Sequence, residues 1–349
     1  MGNSDRTTVY NNITTEELLE RVNPENLELE DDYIDYLISV DRAETTIKQY
    51  KAILHVFWVW NLENNNNKSF VNLHKREIVK FQNHAINIWG WSPNRVRTVK
   101  AVMRSLEKYI INILDDEYPD YKPIWDKVES PAAEAVRPKT IFTEKELQKL
   151  LDVLVERKEY AKACLVSLAM NSGRRKAELC RFKVSYFKDE YLICDGAMYK
   201  SPEKIKTKGH GTKGKLLYVY TLAKPFKPYL DLWLAERERV GITSDWLFPM
   251  IHNGKVYDSP MLTSQIDSWC KYFTEIVGKS FYIHSLRHRL TTKLSENGIP
   301  ATVIKDYIGW ADVSLVSVYD DTEAEDNFEK YFGAEGIKKV EQKSISDLE

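Results

Sequence analysis

The stretch 171–182, NSGRRKAELCRF, joins a turn-forming glycine to two consecutive arginines at the predicted start of a helix. A helix start offers open backbone N–H groups to an anion, and the planar, permanently charged arginine fork matches a phosphate. Arg174 and Arg175 are therefore candidates for binding a phosphate group. Arginines also form caps and ion pairs at helix starts, so this pair alone does not identify a site.

A second candidate stretch, 282–290 (YIHSLRHRL), places His284, Arg287 and His288 within five positions. Two histidines four residues apart on a helix can hold a metal, but a zinc site of the HExxH type needs a glutamate after the first histidine and a further ligand. Here Ser285 follows His284. We therefore expect no metal and no other cofactor. Proton transfer by His284 beside a phosphate clamp at Arg287 fits better.

Two more stretches complete the set. Residues 205–215, IKTKGHGTKGK, carry four lysines around glycine turns, and residues 308–319, IGWADVSLVSVY, end on Tyr319, nine positions after Trp310. Taken in order, the four stretches resemble the tyrosine recombinase (phage integrase) family. That family's pattern is a Gly-x-Arg-x-x-Glu helix start, a lysine on a β-hairpin, a His-x-x-Arg box, then Gly-His or Gly-Trp and a tyrosine nine residues later.

The resemblance implies a metal-free reaction on a DNA phosphodiester. Such a reaction needs a nucleophile, positive charge around the phosphate and an acid for the leaving oxygen. The implied catalytic residues are Arg175, Lys208, His284, Arg287, Trp310 and Tyr319, with Tyr319 as the nucleophile that forms a 3′-phosphotyrosyl bond. Glu178 is expected to support the arginines, and His288 either supports the site or only packs.

The catalytic lysine is the least defined member of the set. The 205–215 stretch offers Lys206, Lys208, Lys213 and Lys215. We choose Lys208, which precedes the glycine turn, and keep Lys206 and Lys213 as alternatives. The family more often has a second histidine where this chain has Trp310, which removes one titrating group and leaves more of the proton transfer to His284.

Positioning these residues requires folded elements, and the first part of the chain predicts helices. In 44–60, Ile47, Tyr50, Leu54, Phe57 and Trp58 recur at helical spacing. In 94–114, Asn94 is a predicted N-cap, and a predicted buried stripe comprises Val99, Met103, Leu106, Ile110 and Ile113.

The second half predicts a mixed structure. Thr143, three residues before Glu146, predicts a capping box at a helix start. Three short strands are predicted in 190–196, 197–208 and 213–222, before helical patterns resume. The expected fold is mainly α with a small antiparallel β-sheet, in two domains of the tyrosine recombinase type: an N-terminal helical core-binding domain and a C-terminal mixed α+β catalytic domain.

Prolines and charge divide the chain. Four prolines between residues 119 and 138 predict an extended linker. The expected segments are an acidic leader 1–27, a helical DNA-clamping domain 28–118, the linker 119–139, the catalytic domain 140–335 and a tail 336–349.

The net charge of −2 hides a basic body, because residues 36–319 hold 44 basic and 32 acidic side chains. Such a body suits a polyanion such as DNA, although solvated charge is common on any surface. A ridge of four cations on the 94–114 helix strengthens this reading. The predicted DNA-binding residues are Lys48, Lys51, Arg97, Lys100, Arg104, Lys108, Arg174, Lys206 and Lys213.

The leading interpretation is a site-specific DNA recombinase of the integrase or transposase type, which acts as a homo-tetramer on double-stranded DNA. Alternatives are a type IB topoisomerase-like or resolving enzyme with the same chemistry, and a non-catalytic DNA-binding protein. The need for accessory directionality factors stays open. No long apolar run predicts a membrane span, and the cysteines show no metal-finger spacing, so we expect a cytoplasmic, nucleoid-associated protein of a prokaryote or phage.

Overall fold

The computed structural model describes residues 13–132, 140–207 and 215–319, and the backbone of 332–333 and 336–337; for 317–319 only the backbone is described. The helices are α1 Glu16–Leu19, α2 Pro24–Ser39, α3 Glu44–Asn64, α4 Lys75–Asn87, α5 Pro93–Ile113, α6 Glu144–Glu156, α7 Tyr160–Ser172, α8 Lys176–Leu179, α9 Ala223–Arg239, α10 Thr263–Val277, α11 Ile283–Glu296, α12 Ala301–Ile308 and α13 Ser314–Tyr319. The strands are β1 Leu192–Ile193, β2 Met198–Lys200, β3 Ile205–Thr207, β4 Lys215–Leu217, β5 Tyr220–Leu222, β6 Pro249–His252, β7 Lys255–Pro260, β8 Phe332–Gly333 and β9 Gly336–Ile337. The predicted class, mainly α with small antiparallel sheets, is confirmed.

The chain forms two compact units that divide next to Pro138. We call residues 13–132 the helical unit and residues 140–207 with 215–319 the mixed unit. Each has a hydrophobic core of its own.

Aromatic side chains fill the core of the helical unit. On α3, Leu54, Phe57 and Trp58 are buried, as the helical spacing predicted. The Phe57 ring lies 5.1 Å from that of Phe81 and 5.3 Å from that of Trp125, both at steep angles. Edge-to-face packing of this kind stabilises a core beyond the area that it buries.

Helix α5 corrects two sequence predictions. The N-cap is Ser92, whose hydroxyl accepts from the Arg95 N–H at 3.4 Å, and not Asn94. Pro93 follows as the first helical residue, where its fixed φ suits the helix and its missing N–H costs nothing. The stripe is buried up to Ile110, but Ile113 in the last turn is 48 % exposed.

The predicted linker is largely part of the helical unit. Trp125 is fully buried in the aromatic core, and the Glu107 carboxylate accepts from the backbone N–H groups of Ile124 and Trp125 at 2.6 and 3.2 Å. The helical unit therefore extends to at least residue 132, beyond the expected end of the DNA-clamping domain at 118. The prolines indicated extended backbone, but a tryptophan among them buries enough apolar surface to dock it.

The predicted acidic leader is also shorter than expected. Residues 13–27 contain α1 and the start of α2, with Val22 and Asn26 buried. The Asn26 amide donates to the Lys68 carbonyl at 2.9 Å, and Asn67 accepts from the Asn23 N–H at 2.9 Å. Residues 65–67 thus form a turn after α3, and Asn67 holds this segment in place.

We expect a fragment ending at residue 118 to be less stable than one ending at 132. The shorter fragment of the helical unit lacks Trp125 and the partners of Glu107. Loss of a buried tryptophan side chain costs about 3–5 kcal/mol. Urea unfolding of fragments 13–118 and 13–132, followed by circular dichroism, measures the difference, with Trp125→Ala in the longer fragment as the matched comparison. Equal midpoints for all three would contradict the revised boundary.

Helix α7 forms the centre of the mixed unit. Its residues from Ala163 to Ala169 are buried on all sides, and α6, α9 and α11 pack against it. Helix α6 begins with the predicted capping box, in which the Thr143 hydroxyl accepts from the Glu146 N–H at 3.2 Å while the Glu146 carboxylate accepts from the Thr143 N–H at 2.8 Å.

The three predicted strand regions form five short strands. Strands β1, β2 and β5 make an antiparallel sheet, with Met198 opposite Leu222, whereas β3 and β4 form a separate hairpin, with Lys206 opposite Leu216. A further hairpin, β6–β7, was not predicted from the sequence.

Candidate active site

The Arg175 side chain is presented by the turn between α7 and α8. Gly173 ends α7 with a φ of +59°, and a Cβ there would lie 2.4 Å from Ile308 Cδ1. Glycine is therefore needed both for its conformation and for the close approach. Arg175 caps α8, and its Nη1 donates to Glu178 Oε1 at 3.0 Å. Glu178 is buried, so its carboxylate holds one side of this half-exposed guanidinium.

Arg287 reaches the same turn from α11. Its side chain is fully buried, and Nη1 donates to the Gly173 carbonyl at 2.7 Å. The two predicted phosphate-binding arginines are thus brought together although 112 positions separate them in the sequence. The buried position fixes the guanidinium, which reduces the conformational freedom that it would lose on binding a phosphate.

Trp310 lies against Arg287. The guanidinium carbon is 5.0 Å from the centre of the Trp310 ring, and Trp310 is only 4 % exposed. The residue before it, Gly309, ends α12 with a φ of +77°, and the Trp310 N–H donates back to the Lys305 carbonyl at 2.9 Å. This C-terminal turn determines where the indole sits.

His284 lies one helical turn before His288 on α11, with ring centres 5.3 Å apart. Burial, followed by the positive fields of His288, Arg287 and Arg175, lowers the pKa of His284 from 6.5 to about 4. The imidazole is therefore neutral near pH 7 and able to accept a proton. His284 and Arg287 lie three residues apart on α11, so they are neighbours on the surface of that helix.

This pKa predicts a pH dependence of stability. Between pH 6.5 and 4 the unfolded state protonates His284 while the folded state does not, so the free energy of unfolding should fall as pH falls through this window. His284→Gln removes this contribution and should lose less stability than wild type between the two pH values in urea titrations. His252→Gln, on exposed β6, should keep the wild-type slope. A His284→Gln slope equal to that of wild type would contradict the assignment.

The remaining predicted catalytic residues are only partly described. Helix α13 ends at Tyr319, but the Tyr319 side chain, Lys208 and Lys213 lie outside the described residues. Lys206 is exposed on β3, between the buried Ile205 and Thr207. The choice between these lysines stays a prediction.

One residue that holds this hairpin was missed from the sequence. Arg181, just after α8, donates from Nη1 to the Lys206 carbonyl at 2.6 Å, and Thr207 donates from its hydroxyl to the Lys215 carbonyl at 2.8 Å. The Arg181 contact ties the β3–β4 hairpin to the residues just after α8, the helix that begins beside Arg175. Nothing in the sequence spacing marks Arg181, because its partner is a backbone group.

Two of the predicted DNA-binding residues are buried. Lys100 is 2 % exposed and donates from Nζ to the Val128 carbonyl, and Arg174 is 1 % exposed and donates to the Tyr307 carbonyl at 2.6 Å. Both side chains are long enough to reach a backbone carbonyl in the interior, so the surface charge predicted for them is not exposed.

The other basic residues predicted on the helical unit are exposed: Lys48, Lys51, Arg97, Arg104 and Lys108. Lys48 pairs with Glu44 at 2.6 Å, and Arg104 pairs with Asp126 at 2.5 Å. Hence the ridge on α5 has three exposed cations instead of four, with an acidic neighbour from outside the helix.

Within the described ranges, no cluster of three or more His, Cys, Asp or Glu side chains is arranged to hold a metal ion. Among these same residues, no helix has the length and apolar character needed to cross a membrane.

Comparison with known proteins gives one family. The model of the phage integrase family matches residues 140–326, more than half of the chain. The match includes each of the four stretches that carry the candidate catalytic residues.

Similar proteins and solved structures include recombinases and an integrase. The SPbeta prophage-derived recombinase-like protein YomM of Bacillus subtilis (strain 168) is 28 % identical over 81 % of this chain and 82 % of its own. A XerH site-specific recombinase bound to a palindromic difH substrate in a post-cleavage complex has a TM-score of 0.60 at 20 % identity, over 82 % of this chain and 78 % of that one. A λ integrase tetramer bound to a Holliday junction has a TM-score of 0.60 at 14 % identity, over 84 % and 77 %. At these identities the two structures show a shared fold.

Proposed function

The chain belongs to the phage integrase family, and on this basis we propose that it is a site-specific DNA recombinase that cuts and rejoins DNA through a 3′-phosphotyrosyl bond. The observation that carries the proposal is that Arg287, which shares α11 with His284, contacts both the turn that presents Arg175 and the Trp310 ring after α12. Each of these side chains has a task in phosphoryl transfer.

The arginines neutralise the phosphate. Arg175 and Arg287 donate to its nonbridging oxygens, where negative charge increases in the transition state. The Trp310 indole N–H donates to the same group. Because Arg287 is already fixed by the Gly173 carbonyl, little reorganisation is needed when DNA binds.

Tyr319 supplies the nucleophile. Its phenolic oxygen attacks the phosphorus, a new P–O bond forms to tyrosine, and the bond to the 5′ oxygen breaks. The free phenol has a pKa of about 10, so attack near neutral pH requires a proton acceptor and a positive field. The neutral His284 accepts the proton, and the arginines provide the field.

The leaving 5′ oxygen takes a proton from a lysine of the β3–β4 hairpin. We assign this role to Lys208, with Lys206 and Lys213 as alternatives. The 5′-hydroxyl of a partner strand then attacks the phosphotyrosyl bond in the reverse reaction, so that bond energy is conserved and no external energy source is required.

The substrate is double-stranded DNA carrying specific sites, bound through the basic residues of both units. Assembly as a homo-tetramer is proposed because the similarly folded λ integrase is a tetramer on a Holliday junction. Accessory directionality factors and nucleoid association are extensions of the same proposal, and no described residue is assigned to them.

A nicked suicide substrate tests the chemistry. Cleavage releases a short strand that carries the 5′-hydroxyl. Without this hydroxyl religation is impossible, and a covalent protein–DNA adduct accumulates. We expect the adduct to form in the presence of EDTA and to resist SDS. Absence of an adduct on any site that the protein binds specifically would reject the proposal.

A topoisomerase-like or resolving enzyme would give the same adduct. Pairing of two bound sites distinguishes it from a recombinase. A recombinase should yield exchanged products from two labelled linear duplexes, whereas relaxation of supercoiled DNA without exchange would favour the alternative.

A further inference from the structure

A second guanidinium is buried beside the candidate site, and the mechanism above does not use it. Arg174 precedes Arg175 in the sequence, yet it points into the interior and is 1 % exposed. Burial lowers its pKa, and the nearby Glu178 carboxylate opposes this effect. A buried charge is costly unless hydrogen bonds or an opposite charge compensate for the lost water.

The main contact of Arg174 is with the end of α12. Its Nη2 donates to the Tyr307 carbonyl at 2.6 Å. That carbonyl lies in the last turn of Ala301–Ile308, where carbonyls lack partners within the helix and a cation is favoured by the helix dipole. Arg174 therefore caps the C-terminus of α12.

Tyr307 is held from its side chain as well. Its hydroxyl donates to the Asn171 carbonyl, and its ring stacks on Tyr220 with centres 6.1 Å apart. Both ends of Tyr307 are thus tied to residues 171–174, the turn that presents Arg175.

The guanidinium also packs against the backbone of Gly309. A Cβ at that position would lie 2.7 Å from Arg174 Nη1. Gly309 connects Tyr307 to Trp310, which in turn lies on Arg287. A continuous set of contacts therefore runs from Arg174, through the end of α12, to the indole at the candidate site.

We infer that Arg174 is a positioning residue for cleavage: by capping α12 it fixes the Gly309–Trp310 turn, and thereby the indole over Arg287 and the point from which α13 leads to Tyr319. This inference rests on the proposed function and deepens it. In this role Arg174 acts through α12 and does not contact DNA.

A double-mutant cycle with Trp310 tests the inference. Arg174→Met should slow single-turnover adduct formation by about 10- to 100-fold, because small displacements of catalytic groups have effects of this size. The dissociation constant for DNA should change by less than about 2-fold, because the side chain is buried away from the DNA surface. Trp310→Phe, which loses the indole N–H, should slow cleavage about 10-fold or more in the wild-type background, but less than about 3-fold once Arg174 is methionine.

Arg237 provides the matched control. It is also a buried arginine of the mixed unit, and it donates to the carbonyls of Ser244, Trp246 and Leu247. Arg237→Met should destabilise the protein comparably, yet Trp310→Phe should keep its full effect in that background. This comparison separates positioning from a general loss of stability.

Arg174→Lys keeps the charge and one donor, and it carries the cycle if the methionine variant does not fold. An equal effect of Trp310→Phe in both Arg174 backgrounds would overturn the inference while leaving the proposed function intact. A wild-type protein that forms no adduct would overturn both.

Discussion

Replacement of Tyr319 by phenylalanine is expected to abolish the covalent adduct while leaving DNA binding unchanged. Phenylalanine keeps the ring but lacks the oxygen that attacks phosphorus. Loss of a nucleophile typically reduces turnover by at least about 10⁴-fold. The suicide substrate in EDTA, resolved on a denaturing gel, measures adduct formation, and a gel-shift titration measures binding.

Tyr257→Phe is the control for this experiment. Tyr257 lies on β7, where its ring is contacted by Lys255, so removing its hydroxyl should leave both measurements at the wild-type level. An adduct formed by Tyr319→Phe at a rate near that of wild type would show that the nucleophile is another residue. Peptide mapping of that adduct would then identify it.

The second large effect is expected at Arg287. Arg287→Lys keeps a positive charge but loses the planar fork that donates to the Gly173 carbonyl and that matches a phosphate in shape. Removal of one donor to a developing anion costs about 10²–10³-fold in rate. We therefore expect single-turnover cleavage to slow by at least this factor, with a smaller change in DNA affinity.

Arg289→Lys is a matched control on the same helix. Arg289 pairs with Glu144 and Glu296 at 3.4 and 3.1 Å, and such partly exposed ion pairs contribute little. Its substitution should change the cleavage rate by less than about 3-fold. If Arg287→Lys cleaved as fast as Arg289→Lys, Arg287 would not be the phosphate clamp.

Local signals carried much of the fold. The helical spacing of α3, the capping box of α6 and the strands around the β3–β4 hairpin depend on neighbours within a few residues. These interactions are visible in sequence because their partners are near. The catalytic stretches are recognisable for the same reason. Gly173 and Arg175, like His284 and Arg287, lie within three residues of each other in the sequence.

The errors have a common cause. From the sequence, Trp125 is predicted to lie in a proline-rich linker. In the structure it packs against Phe57 and Phe81, which are far away in sequence. From the sequence, Lys100 is predicted to be one of four surface cations. In the structure its Nζ donates to the Val128 carbonyl. In both cases the neighbouring residues indicate an exposed position. Burial instead depends on contacts with residues that are distant in the sequence.

By itself, the sequence determined the residue types, their order and their spacing, and through these the family and the reaction class. The tertiary structure alone decided which of two adjacent arginines is buried and which is partly exposed at the candidate site. Arg174 and Arg175 have the same charge and the same neighbours in sequence. Side chains of successive residues point in different directions, and only that of Arg174 contacts α12. Arg174 donates to the Tyr307 carbonyl in the interior, whereas Arg175 donates to Glu178 at the candidate site.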